Sequence, residues 1–519
     1  MMSSLMEASS RLLSGRNIDQ IERIVLSTTI STNAIVQKKI NRVAMVLLSG
    51  PGLAPSLLNP GQDAFFARGY VNHRGIPVEN ISRREIIHIG EEIAEKGIRQ
   101  VAVVGKFSSR NPQQERDVAE LLSNDTLRIS MGHTLSGQLN FPRRISTTYL
   151  NAAISDIYRD FAKDVQTFIS ELKTDAPVYI LKADGGTILL NQSLNCPVET
   201  IHSGPAAGIM GVLATADIRE DAVALDIGGT TTDISVFAEG VPLLEPSGVT
   251  IDGRKTLIRG LLSKSIGIGG DSVVRLKDGK ILIGPEREGP AAALDGPCPT
   301  PTDAMILLNV VDYGDRNKAL KALSALASKR KISPEELARE IIDETTSAIA
   351  GEVRQILAGI NNKPVYTIHE LLEGRIIEPK MLYVVGGPAA LAPFIGEKLD
   401  LPYSIPDHSE VSNALGVALA RTTAEMTILA DTEKRELIVS EAGQVKKIPS
   451  DFTLHDVVEV GKATLRDKAA QMGADPLDMM IEITEAQEFN MIRDFYTTGK
   501  NIRVKVQIKP GLISAGQMR

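Results

Sequence analysis

Tryptophan is absent from these 519 residues, and aromatic side chains make up only 4% of them. Proteins that hold single-stranded nucleic acid stack its bases on aromatic rings, so no such platform is expected. The formal charge is −7, and no dense Lys/Arg cluster interleaved with aromatics marks a nucleic-acid surface. Cysteine occurs only as Cys196 and Cys298, too few for a disulfide framework and suited to a reducing compartment. No apolar run approaches the ~20 residues of a membrane span. The N-terminal segment 1–15 has no long apolar stretch and carries Glu7, so it does not read as a secretory leader. A cytoplasmic protein with neither membrane nor nucleic-acid partners is the expectation. Also missing are a nucleophile elbow, paired metal-ligand histidines and a Cys-x-x-Cys; the seven histidines are dispersed.

Turning to what is present, 43% hydrophobic and 23% charged residues describe a globular chain long enough for two to four domains. Its most informative stretch runs from Val223 to Val236, a short apolar strand, a Gly-Gly turn and a returning apolar strand. Gly228 and Gly229 let backbone approach a ligand closely because no Cβ intervenes. Thr230 and Thr231 add hydroxyls, and Asp226 and Asp233 bracket the turn with carboxylates. Amides and hydroxyls can hold phosphate oxygens while a carboxylate holds the accompanying Mg²⁺. A Gly-Gly pair alone is ordinary hairpin chemistry; the full D-x-G-G-T-x-x-D string favours the phosphate reading.

Other glycine-rich segments are weaker signals. Asp184-Gly-Gly-Thr187 follows an apolar strand but has no second carboxylate where Asp233 stands in the first string; a phosphate contact and a tight strand exit both remain open. His202-Ser-Gly-Pro-Ala-Ala-Gly208 reads as a loop entering a helix that Ser203 can cap, with small residues that permit either close packing or an anion site at Ser203 and Gly204. Ser265-Ile-Gly-Ile-Gly-Gly-Asp271 and Val384-Val-Gly-Gly-Pro388 are turns at strand mouths, placing Gly269, Gly270, Gly386 and Gly387 as candidates to line a nucleotide. His408 sits in a polar loop, where a surface or capping role is expected.

Strand-like runs alternate with helical spacing along most of the chain, the pattern of an α/β fold. Strands are expected near residues 24–26, 43–48, 101–104, 178–181 and 381–385, and helices over 83–96, 147–172 and 334–357, the last capped by Ser333. Residues 284–301 are too rich in Gly and Pro for regular structure, and Thr302 or Asp303 is a possible cap for the helix that follows. Past residue 425 charged strands surround one helix, near 454–472.

Taken in order, these segments resemble the hydantoinase A/oxoprolinase family of the actin–sugar kinase–Hsp70 superfamily. The resemblance rests on Ser27-Thr-Thr-Ile-Ser-Thr-Asn-Ala34, Phe107-Ser-Ser-Arg-Asn-Pro112, Ser146-Thr-Thr-Tyr-Leu-Asn-Ala152, Asp184-Gly-Gly186, Ser203-Gly-Pro-Ala-Ala-Gly208, Asp226-Ile-Gly-Gly-Thr-Thr-Thr-Asp233, Ile266-Gly-Ile-Gly-Gly270, Pro301-Thr-Asp-Ala304, Gly386-Gly387 and His408-Ser-Glu-Val-Ser-Asn-Ala-Leu-Gly416. It covers about residues 20–425 and identifies Asp184-Gly-Gly186 with the family's strand exit.

The resemblance implies an α/β fold of duplicated actin-like (ribonuclease H-like) ATPase domains with a small C-terminal α/β domain. It divides the chain into an N-terminal remnant (1–125), an ATP-binding core (126–425) and a C-terminal piece (426–519). It implies ATP and Mg²⁺ as cofactors, with Asp226 as metal ligand, Asp226 and Asp233 as the catalytic carboxylates, and the glycines, threonines and Ser203 above as nucleotide contacts. The implied activity is ATP-dependent opening of a small cyclic amide or imide, in a hetero-oligomer with a hydantoinase B-type subunit. A subunit of an acetone-type carboxylase and a non-catalytic nucleotide binder are the alternatives. Family members open with another D-x-G-G-T hairpin, whereas this sequence starts at Met1-Met2-Ser-Ser. The strands at 24–26 and 43–48 are accordingly expected to leave a sheet edge uncovered.

Overall fold

Val43–Leu48 is buried at every position, as a strand covered on both faces must be. In the computed structural model it lies inside a four-stranded parallel sheet, ordered Asp63–Phe66, Val43–Leu48, Gln100–Gly105, Arg128–Met131. Side chains alternate across this sheet. Ala44, Val46 and Leu48 meet Ile86, Ile89, Ile93 and Val118 of the helices Arg83–Glu95 and Gln113–Leu122. Val43, Met45 and Leu47 meet Phe141, Ile145 and Ala152 of the long helix Phe141–Leu172. The structure describes residues 11–12, 15, 17–58, 60–245, 247–362 and 376–513. The Met1 start and most of the segment read for a secretory leader lie outside them.

The chain divides into two compact units, Met1–Ser203 with Glu245–Gly260 and Ala420–Arg519, and Gly204–Leu244 with Leu261–Leu419. The first unit holds the sheet just described and a smaller one, Ile24–Leu26, Val178–Leu181 and Thr187–Leu189. The strands at 24–26 and 43–48 therefore belong to different sheets, and the second is interior rather than an edge. A five-stranded antiparallel sheet, Gln444–Lys447 through Ile481–Arg493, carries the helix Leu454–Gln471 on one face. Its core residues Ile428, Val457, Val504 and Val506 pack in one cluster with Tyr158, Phe161 and Val165 of the long helix.

The second unit is built on a six-stranded mixed sheet. Ala222–Ile227 is its central strand, antiparallel to Thr232–Ala238 and parallel to Met381–Val385. Val223, Leu225 and Ile227 point into an apolar cluster with the helices Pro301–Leu307, Arg316–Arg330 and Pro334–Asn361. Complete burial of such side chains stabilises by roughly 1.5–3 kcal/mol each. Ala224 and Asp226 fall on the opposite face by the strand's period of two. The α/β class expected from the alternating pattern is the class observed. Among the described residues, no helix is long and apolar enough to cross a membrane.

Candidate functional site

Asp226 and Asp233 occupy paired positions on adjacent antiparallel strands, Asp226 opposite Asp233 and Ile227 opposite Thr232. The chain between them closes with the Gly228 amide donating to the Thr231 carbonyl at 2.9 Å. Among the described residues, the amides of Gly229, Thr230 and Thr231 meet no acceptor, and the two threonine hydroxyls meet no partner. Three adjacent donors left open beside a glycine pair are the kind of backbone group an anion can engage.

A second turn clasps the first. The Gly270 amide donates to the Gly228 carbonyl at 2.9 Å, and the Asp271 amide to the Gly229 carbonyl at 2.7 Å. The Thr232 hydroxyl donates to the Ile268 carbonyl at 2.7 Å. A Cβ on Gly269 would sit 2.5 Å from the Gly228 carbonyl oxygen, so only glycine permits this approach. Thr302, by amide and hydroxyl, donates to the Gly270 carbonyl at 2.8 Å. Gly386 completes the cluster at a φ of +95°, where a Cβ would meet the Ile227 carbonyl at 2.3 Å; a Cβ on Gly387 would meet nothing within 4 Å. The structure thus brings Asp226, Gly228, Gly229, Thr230, Thr231, Asp233, Gly269, Gly270, Gly386 and Gly387 together.

Ser203 and Gly204 are the first two residues of the helix Ser203–Thr215. Ser203 does not cap it: its buried hydroxyl donates to the Thr28 carbonyl at 2.8 Å within the first unit. Farther along, a Cβ on Gly208 would lie 2.6 Å from the Asp226 carboxylate, which explains the small residues of this segment. At residues 301–307 the cap is Thr300, in a capping box with Asp303, rather than Thr302 or Asp303.

The two carboxyls are half-buried, and among the described residues no cation stands beside either. Burial raises Asp226 above the ordinary carboxyl value, against one hydrogen bond from the Asn413 amide at 2.9 Å. Burial also raises Asp233; the Ser265 hydroxyl partly offsets this and the Asp226 charge adds to it. Among the described residues no group of three or more His, Cys, Asp or Glu could hold a metal by itself. Two carboxylates beside open amides are instead the hard-oxygen set that suits Mg²⁺, which keeps waters and shares phosphate oxygens.

The Hydantoinase/oxoprolinase family model matches residues 144–426, and that of the Hydantoinase/oxoprolinase N-terminal region matches residues 1–126. The chain belongs to the hydantoinase/oxoprolinase family. Among curated relatives, this family member is 23% identical to the acetophenone carboxylase gamma subunit of Aromatoleum aromaticum, over 92% of its own length and 70% of that subunit. Two solved structures share its fold at a TM-score of 0.70. One is the ATP-dependent caprolactamase of Pseudomonas jessenii, 18% identical, covering 99% of this chain and 82% of that one. The other is nucleotide-free acetone carboxylase, 16% identical, covering 100% and 83%.

Within this family member, the residues that sequence reading passed over are the supports: Asn413 on Asp226, Ser265 on Asp233, and Arg287, which holds Asp271 at 2.8 Å. Asn413 had a signal, as the polar residue opening a small-residue helix. Ser265 and Arg287 had none, because long-range pairing supplies their roles. Asp184 proves to be a strand exit: its carboxylate accepts from the Gly186 amide at 3.0 Å and the Thr423 hydroxyl at 2.8 Å, and pairs with Arg259. His408 takes a left-handed conformation ahead of the short helix at Ser409–Val411.

Proposed function

We propose that this chain is the ATP-using subunit of a cyclic-amide hydrolase of hydantoinase/oxoprolinase type. The observation that carries the reading is the row of open amides at Gly229, Thr230 and Thr231 beside Asp226 and Asp233. In this reading the amides and the Thr230 and Thr231 hydroxyls grip phosphate oxygens. Asp226 holds Mg²⁺, with Asp233 directing water or metal beside it. Bound Mg²⁺ supplies neutralisation of phosphate charge. The Gly269–Gly270 turn, with Gly204, completes the phosphate contacts, and Gly386 and Gly387 leave room for the nucleoside. Phosphoryl transfer needs positioning and charge stabilisation rather than a protein nucleophile. Transfer of the γ-phosphoryl group to the amide oxygen releases ADP and makes the ring carbon electrophilic. Water then adds to that carbon, the ring C–N bond breaks as the nitrogen takes a proton, and a second water hydrolyses the resulting acyl phosphate to carboxylate and free phosphate. A hydantoinase B-type subunit completes the hydrolysis in a hetero-oligomer, and the compartment is cytoplasmic.

A carboxylase subunit is the second reading, favoured by the likeness to the acetophenone carboxylase subunit. Calorimetry with MgATP and MgADP tests the shared part: saturable, Mg²⁺-dependent binding is expected, and no binding of either nucleotide sinks both readings. Release of ADP by the assembled complex separates them. Dependence on a hydantoin or lactam supports the hydrolase, and dependence on bicarbonate with a ketone supports the carboxylase.

A further inference from the structure

The first unit contains a partly open cavity of about 220 Å³, the volume of roughly seven waters at ~30 Å³ each. Its walls are of two kinds. Leu257, Ile258, Val198 and Met472 supply apolar surface, and a set of buried charges supplies the rest. The acids of that set are already committed. Asp184 pairs with Arg259, Glu199 with Lys182 at 3.2 Å, and Glu425 with Lys505 at 2.9 Å. Both oxygens of Glu441 accept backbone amides, from Gly137 at 3.1 Å and Thr427 at 2.9 Å.

Lys468 is different. Its ammonium donates once, to the Glu425 carbonyl at 3.3 Å. Among the described residues, no carboxylate lies within ion-pair distance of it. An ammonium has three donors, so two of them remain unused in a half-buried wall. At the rim the side-chain amides of Gln192, Asn195 and Gln471 bond to nothing in the protein among the described residues.

We propose that this cavity binds a small organic carboxylate of amino-acid size that bears a second hydrogen-bonding group. The carboxylate pairs with Lys468, the carbon skeleton lies on Leu257 and Ile258, and the second polar group meets the rim amides. The assignment does not depend on the nucleotide reading of the second unit.

Ligand-observed NMR with four probes tests it: succinamate, glutarate, N-acetylglycinate and pyrrolidone carboxylate, each beside its uncharged carboxamide. At least one carboxylate should bind saturably below about 10 mM, a weak small-ligand affinity. It should bind at least about tenfold tighter than its amide, as expected for loss of a charge-assisted hydrogen bond. Lys468→Met should erase that preference, and Leu257→Trp should abolish binding by filling the cavity. Circular dichroism and unfolding temperature confirm that both variants fold. If either variant fails to fold, Gln471→Ala at the exposed rim serves in its place, with a several-fold loss expected. Absence of saturable carboxylate binding, equal binding of acid and amide, or an unchanged preference in a folded Lys468→Met overturns the proposal.

Discussion

The chain writes nearly the same word twice, Asp184-Gly-Gly-Thr187 in the first unit and Asp226-Ile-Gly-Gly-Thr230 in the second, and gives the two aspartates opposite surroundings. Asp184 is 2% exposed, yet Lys182 and Arg259 outweigh the penalty of burial and hold its carboxyl well below the ordinary value. Gly186, Thr423 and Arg259 occupy its oxygens. Asp226 has no cation beside it among the described residues, has one amide partner in Asn413, and is raised by burial. A carboxylate already neutralised by a guanidinium has nothing to gain from a metal ion. One left without a counter-charge is a place where a cation and its phosphate would be stabilised. The turn residues do not tell the two apart; the neighbours do.

Removing the carboxylates should break the comparison most visibly. Asp184→Ala would remove the buried carboxylate that Lys182 and Arg259 share, leaving Lys182 only Glu199 and Arg259 only Glu425 as counter-charges, and breaking a buried ion pair costs about 3–5 kcal/mol. A steep fall in unfolding temperature is expected by calorimetry, with no selective loss of nucleotide in whatever remains folded. Asp226→Ala should do the reverse: the fold persists, because a half-exposed carboxyl contributes little to the core, while MgATP affinity drops by about a hundredfold, or ~2.7 kcal/mol. Unchanged MgATP affinity in folded Asp226→Ala would remove this residue from the site.

Neighbouring glycines sharpen the distinction between a structural and a ligand-facing position. Gly386→Val places a Cβ 2.3 Å from the Ile227 carbonyl at a φ of +95°, so stability should fall. At Gly387 the added side chain meets no protein atom within 4 Å. Gly387→Val should therefore fold normally yet weaken ATP and ADP alike, by about tenfold (~1.4 kcal/mol). Loss of ATP with ADP retained would move the nucleoside away from this turn.

Legibility followed the same division. Short continuous apolar runs announce themselves: residues 43–48, 178–181 and 381–385 were read at the bounds observed, and Ser333 caps its helix as expected. The long helix begins at Phe141, six residues before its expected start. Arg144 and Thr147 are buried there, and buried polar residues break an apolar stripe. The hairpin Ile481–Arg493 and Tyr496–Ile508 was legible only as charged strand, because much of its outer strand is exposed and carries no period of two. At the site, the hairpin and its glycines were readable from spacing. Asn413 and Ser265 reach Asp226 and Asp233 from far along the chain, at separations of 187 and 32 residues, and spacing carries no record of such contacts.

The smallest expected effect is also the most direct measure of the two environments: the pH dependence of stability in the nucleotide-free protein. A carboxyl lowered by folding stabilises above its ordinary value and loses that contribution as pH falls through its folded value. Asp184, with an ordinary value of 3.8, is of this kind, so Asp184→Asn should be least stable relative to the natural protein near neutrality. That deficit should narrow only as pH drops below about 3.8. Carboxyls raised by folding run the other way. Asp226 and Asp233 favour the folded state when protonated, and this contribution is lost as pH rises from 3.8 through their raised values. Asp226→Asn should consequently unfold at the same or a slightly higher temperature than the natural protein near neutrality, and the gain should vanish in acid. Thermal unfolding followed by circular dichroism from about pH 7 to about pH 3 reads both curves. A lower unfolding temperature for Asp226→Asn at neutral pH would show that the Asp226 charge is compensated in the fold, and the contrast between the two aspartates would collapse.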